Sequence, residues 1–310
     1  MTAAIYFGKV NLVSSQIGDV LCNVTSLRAI LANVFTALKD DITYTYTTIK
    51  QIDENHTITQ DIEYSLSIKE KNDSDLQGYL HKKSYLYYKD FDKHAKEIIS
   101  KKVENTESSE FYYDVFREMV GYQRTLRFGY KEFLYGFEGI LNSACKNANL
   151  DYSFTVNQYT EGLDINNLRN ELLNSNQKIQ KLKIKYQIPN PDEDTLKKIQ
   201  LNPEETIKDF KSANLSTKYV TYQSFSNAAL NISSNLIEQE LRSIDNIHSS
   251  IDAKKATQNG YVEVEATNIH GVTKSTADTH PVIKHIDDIL ELKDAASIVI
   301  LNNIRNSIES

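Results

Sequence analysis

With 310 residues, of which 40% are apolar, 25% charged and 10% aromatic, the chain falls in the globular range and outside the collagenous, mucin-like and disulfide-scaffold classes. Lys and Arg number 35 against 42 Asp and Glu, a formal charge of −7, which argues against a polybasic tail or a bulk electrostatic nucleic-acid binder but leaves room for a local basic patch. A chain of this length buries a core large enough for one large or two modest domains.

Residues 3–13 read as a strand. The following stripe of Val20, Leu21, Val24, Leu27, Leu31, Val34, Phe35 and Leu38 repeats at three and four residues and predicts one amphipathic helix packed on a sheet. Ile42, Tyr44 and Tyr46 then alternate with Thr43, Thr45 and Thr47, the period of two that strands require. Further strands are expected at 61–69, 78–88, 110–115 and 119–128. A second amphipathic helix carries Tyr130, Phe133, Leu134, Phe137, Ile140, Leu141, Ala144 and Cys145.

After a short strand at 152–156, the polar run 157–164 is the preferred boundary between an N-terminal subdomain, 1–158, and a C-terminal one, 159–310, unless one continuous domain spans both. Beyond it a helix is expected at about 163–173. In the next strand, Leu182, Ile184, Tyr186 and Ile188 alternate with Lys181, Lys183 and Lys185, and Pro189-Asn190-Pro191 ends it because proline has no amide to donate. Pro203 is placed to open a short helix, 218–225 suits a strand, and Ile237, Leu241, Ile244 and Ile251 mark a longer helix. A hairpin follows, with strands at 261–267 and 272–277, and a helix from about 287 to 308 closes the chain. The expected class is α+β, a mixed or largely antiparallel sheet with several packed amphipathic helices.

Cys22 and Cys145 both sit among apolar residues at helical spacing, so both are expected to be buried free thiols in a reducing compartment. The first residues lack a basic leader, Lys9 interrupts their apolar run, and no 18-residue apolar window occurs, which points to a cytoplasmic, unanchored protein.

The sequence holds no phosphate-binding glycine loop, dinucleotide turn, nucleophile elbow, His-Glu-x-x-His helix or Cys-x-x-Cys pair, and no cofactor is implied. Glu263, Glu265, His270 and His280, with His285 and Asp278 nearby, are weak candidates for a metal site because imidazole and carboxylate suit zinc, iron or manganese. Their spacing fits a solvated strand followed by a loop equally well, so no metal is assigned. Arg242 and His248 match an Arg-x(4–6)-His spacing used by a helical ribonuclease and toxin family. They are weak catalytic candidates, because His248 falls on the apolar stripe of its helix. Glu291-Leu292-Lys293 matches half of a restriction-type nuclease site, a triplet that chance also produces.

Residues 79–102 combine seven lysines with Tyr79, Tyr85, Tyr87, Tyr88 and Phe91, and Arg124 and Arg127 can lie alongside. Lysines neutralise phosphates and aromatic faces stack on unpaired bases, so the alternate positions Lys83, Tyr85, Tyr87 and Lys89 form the expected nucleic-acid-binding face. A solvated structural strand is the plainer reading of the same residues.

The opening strand and helix, the strand ending Ile188-Pro189-Asn190-Pro191-Asp192, and the hairpin from Asn259-Gly260-Tyr261-Val262-Glu263-Val264-Glu265 to His280-Pro281 together resemble an uncharacterised family of bacterial proteins encoded in prophages and phage-defence islands. The resemblance implies a cytoplasmic accessory, sensor or effector and supplies no catalytic residues. The expectation is a phage-conflict protein, of defence or counter-defence, acting by binding and assembly with a protein or nucleic-acid partner and by self-association, without a membrane. A nuclease or other nucleic-acid-directed enzyme is the alternative.

Overall fold

The computed structural model describes residues 3–53, 56–92, 94, 96–125, 127–191, 193–201, 205–225, 228–286 and 292–308; Asp192, Pro203 and Glu291, singled out in the sequence, lie outside the described residues. In β1 (Ala3–Leu12), Ile5, Phe7, Val10 and Leu12 are all fully buried. The stripe expected as one helix forms two, α1 (Gln16–Leu21) and α2 (Leu27–Ala37). Between them Asn23 adopts φ 57°, in the left-handed region that a short amide side chain tolerates, and Val24 turns out to solvent. The same break leaves Cys22 exposed, correcting the expectation that it is buried, whereas Cys145 is buried as expected.

The next strands form an antiparallel meander of β2 (Thr43–Asp53), β3 (His56–Lys71), β4 (Asp75–Asp92), β5 (Glu97–Asp114) and β6 (Met119–Gln123). β4 and β5 run to 18 residues each: β4 extends the expected 78–88 modestly at both ends, whereas β5 extends far beyond the expected 110–115. In residues 101–104 Lys101, Lys102, Val103 and Glu104 are all exposed, so both faces meet water and no apolar alternation betrays the strand. β6 stops short of 128 because Phe128 is drawn into the core, its amide donating to Thr125 Oγ1 at 3.0 Å just before α3 (Tyr130–Asn147) begins.

β7 (Phe154–Gln158) returns to pair with β1. After α4 (Ile165–Glu171) come β8 (Ile179–Gln187), α5 (Glu193–Leu201), α6 (Glu205–Ser212) and β9 (Thr217–Gln223). The remainder comprises α7 (Asn235–Ile244), α8 (Ala253–Gln258), β10 (Val262–Asn268), β11 (Thr273–Ser275), β12 (Ile283–Ile286) and α9 (Leu292–Ile308). One sheet runs β12-β1-β6-β5-β4-β3-β2 with β7 also on β1, and a second runs β11-β10-β8-β9. The protein is α+β, its first sheet curled like half a barrel and its strand pairs antiparallel.

Helix α3 fills the curl. Phe133 stacks on Tyr122 with centroids 4.0 Å apart, and Phe137 meets Phe111 edge-on at 5.2 Å. A Cβ on Gly139 would lie 2.0 Å from the Tyr44 ring and one on Gly136 2.4 Å from the Tyr64 ring, so these two glycines let β2 and β3 lie directly against the helix backbone. The opposite face is covered by α9, whose Ala295, Ala296 and Ile300 pack with Ile5, Phe7, Tyr112 and Met119. β12 pairs with β1 as well, so the end of the chain returns to the first sheet, and one apolar core runs continuously into the second.

A buried polar chain ties the two sheets together. Lys9 Nζ donates to Glu118 at 3.0 Å, the other Glu118 oxygen accepts from the Asn190 amide, and Tyr261 Oη donates to the Asn190 carbonyl at 2.6 Å. The proline-flanked turn after β8 therefore supplies the amide that helps hold Glu118 in place. Burial pushes the Glu118 carboxyl above the usual range, with Lys9 and Asn190 opposing the shift.

Candidate functional site

Pairing between β3 and β4 runs from Lys71 opposite Leu76 to Glu63 opposite Lys83 and, among the described residues, goes no further. β2 and β3 nevertheless stay paired out to Asp53 opposite His56, and β4 and β5 out to Asp92 opposite Glu97. The sheet thus divides into two hairpin fingers. At the fork the Gln60 side chain bridges the division, donating from Nε2 to the Tyr85 carbonyl at 3.3 Å where a strand amide would otherwise stand.

A groove of about 530 Å³ opens at this fork, with Thr48, Gln60 and Ile62 on one side and Lys82, Ser84 and Leu86 on the other. Its volume lies within the range of small-ligand sites, roughly 300–1,000 Å³. Lys82 is buried and ion-paired with Glu132 from the first turn of α3, while the second Glu132 oxygen accepts the Gly129 amide at 3.0 Å. This carboxylate both caps the helix and neutralises the lysine. Glu107, opposite Lys82 on β5, accepts from the Asn105 amide at 2.8 Å through one oxygen; its other oxygen is buried without a hydrogen-bond partner. Arg127 adds an exposed guanidinium to the lining.

The structure carries Lys83, Tyr85, Tyr87 and Lys89 on one face of the β4 finger, as strand alternation demands. Lys83 is ion-paired with Glu104 at 3.1 Å, which holds its ammonium above the usual lysine value, and Lys102 lies 4.7 Å over the Tyr85 ring. Lys101 pairs with Asp90 at 2.6 Å. The lysines of this segment are therefore interleaved with carboxylates. On the other face of the finger Leu86 and Val103 stand opposite each other, 38% and 50% exposed, with Tyr88 beside them at 49%.

The other sequence candidates are dispersed. Arg242 is exposed on α7, whereas His248 is 2% exposed and accepts the Ser250 amide through Nδ1 at 3.0 Å. Glu263 accepts from Ser275 at 2.9 Å, Glu265 pairs with Lys183 at 3.2 Å, and His280 meets Glu171 at 2.8 Å. His270 and His285 are exposed, in a loop and on β12. No group of three or more His, Cys, Asp or Glu among the described residues is arranged to hold a metal. Lys293, of the Glu-x-Lys triplet, pairs with Glu70 at 2.9 Å.

Sequence reasoning missed Gln60, Ser84, Glu107 and Glu132. The local signal within reach was Glu132 three residues after Gly129, the spacing of a helix start. Among the described residues no helix is long and apolar enough to cross a membrane. No protein-family model matches this chain, and no curated protein matches it.

Proposed function

We propose that this is a cytoplasmic binding and assembly protein of phage conflict that engages a second copy of itself through the two hairpin fingers. The observation that carries the binding reading is the exposed row of Leu86, Val103 and Tyr88 on strands that extend past their neighbours. Charge complementarity favours a second copy. Asp90 lies beyond the outer end of the row, Lys101 stands opposite Tyr88 and pairs with Asp90, and the carboxylates Glu107 and Glu132 lie beyond the inner end. A copy turned about a two-fold axis therefore brings Lys101 of each finger toward the carboxylates of the other. The paired lysines favour protein over nucleic acid, since each carboxylate offsets a cation that a phosphate would need.

The phage-conflict part rests on the resemblance of the opening strand and helix, the Pro189-Asn190-Pro191 strand ending and the late hairpin. Its test is the plating efficiency of phage on bacteria producing the wild type or Tyr88→Asp/Val103→Asp. A plating change produced by wild type and lost in the variant supports the proposal. Equal plating with wild type, variant and empty vector refutes it.

A further inference from the structure

We infer that the fork is a slot for an extended peptide, which adds between the fingers as a strand. The two backbone edges facing each other across the fork, residues 57–62 of β3 and 84–88 of β4, carry no pairing with one another among the described residues. Strand edges left unpaired in this way are templates for another extended chain. Neighbouring strands lie about 4.8 Å apart, so admitting one strand requires the edges to stand about 10 Å apart, and the Gln60 amide, which spans the fork to the Tyr85 carbonyl at 3.3 Å, has to swing aside for it. The groove begins at that place, and the Gln60 side chain already occupies one rung of the missing ladder.

The side chains specify the peptide further. Ile62 and Leu86 offer an apolar wall on each side, suited to the β-branched residues of an extended segment. Arg127 is a lining cation for which the described residues show no carboxylate partner, whereas Lys82 is held by Glu132. Glu107 also lines the groove, with one oxygen buried and without a hydrogen-bond partner, so an acidic residue fits only on the Arg127 side, its carboxylate taken by the guanidinium and β-branched residues flanking it. This goes beyond finger pairing; Leu86 belongs to both surfaces, but Tyr88 and Val103 do not line the groove, so a variant at those two positions tests assembly without touching the slot.

The probe is acetyl-Val-Thr-Val-Glu-Val-amide titrated calorimetrically into the full chain, beside the same peptide N-methylated at alternate amides. Saturable binding at millimolar peptide or below is expected, weakened about tenfold or more by N-methylation, which removes strand hydrogen bonds but keeps every side chain. Arg127→Ser should weaken the Glu peptide about tenfold and leave a Gln peptide unchanged. Amide exchange should slow at 60–62 and 84–86 on binding. Equal affinity for the methylated and unmethylated peptides, absence of saturable binding, or an oligothymidylate binding more tightly than the peptide would each overturn the inference. Tyr88→Asp/Val103→Asp should still bind the peptide, which separates failure of the slot from failure of assembly.

Discussion

Replacing Gly139 by alanine tests how the fingers are rooted. In an ordinary helix interior the change gains about 1 kcal/mol, because alanine loses less backbone entropy than glycine. Here the new methyl would sit 2.0 to 2.4 Å from three carbons of the Tyr44 ring, which has to move. Tyr44 is tied on several sides: its hydroxyl is 2.8 Å from that of Tyr135, and its ring packs near Tyr46 and Tyr64. Burial and the Tyr135 hydrogen bond push its phenol up to about 12. Overpacking costs about 1–3 kcal/mol and the lost hydroxyl contact about 1 kcal/mol, against the gain of about 1, so the expected net loss is about 1–3 kcal/mol. Urea unfolding at constant m-value reads it as a lower midpoint. In a Tyr44→Ala background the ring is gone, and the same substitution should raise the midpoint. A higher midpoint for Gly139→Ala in the wild-type background would refute the close approach of β2 to α3.

Two further outcomes follow from buried or half-buried charge. Lys9→Met leaves Glu118 buried without its cation and should cost about 3–5 kcal/mol in urea unfolding, most of it recovered when Glu118→Gln is added; an unchanged midpoint for the single variant would contradict the paired arrangement. Burial lowers the His81 pKa below its ordinary value of about 6.5, so the unfolded chain takes up this proton first and stability is lost as pH falls below about 6.5. His81→Gln should lack this component, and parallel stability curves for the two proteins from neutral pH downward would contradict it.

Local periodicity made much of the fold readable. The Phe133, Phe137, Ile140 and Leu141 stripe marks α3, and the alternation from Leu182 to Tyr186 marks β8, because each is set by residues two to four apart. The break at Asn23 escaped notice because an apolar stripe continues across it, with neither glycine nor proline to announce the turn. The outer half of β5 was hidden for the opposite reason: with both faces in water, strand geometry imposes no apolar period. The site itself is non-local. Lys82 and Glu132 are 50 positions apart and Lys9 and Glu118 are 109 apart, so each contact exists only once the register of the sheet is fixed. The fork depends on where β3–β4 pairing stops, which no single segment encodes.

The assembly claim is tested most directly by sedimentation across a concentration series. Past the fork the β2–β3 finger keeps 56–62 of β3 and the β4–β5 finger 84–92 of β4, about 25 Å and about 30 Å long by about 10 Å wide. Two fingers therefore cover about 550 Å² and two copies bury about 1,100 Å², just above the roughly 1,000 Å² that a specific interface needs. The account predicts a concentration-dependent shift from monomer to dimer for the wild type, and a monomer at every concentration for Tyr88→Asp/Val103→Asp with an unchanged circular dichroism spectrum. A wild type that remains monomeric throughout, or a variant that dimerises equally well, would contradict it.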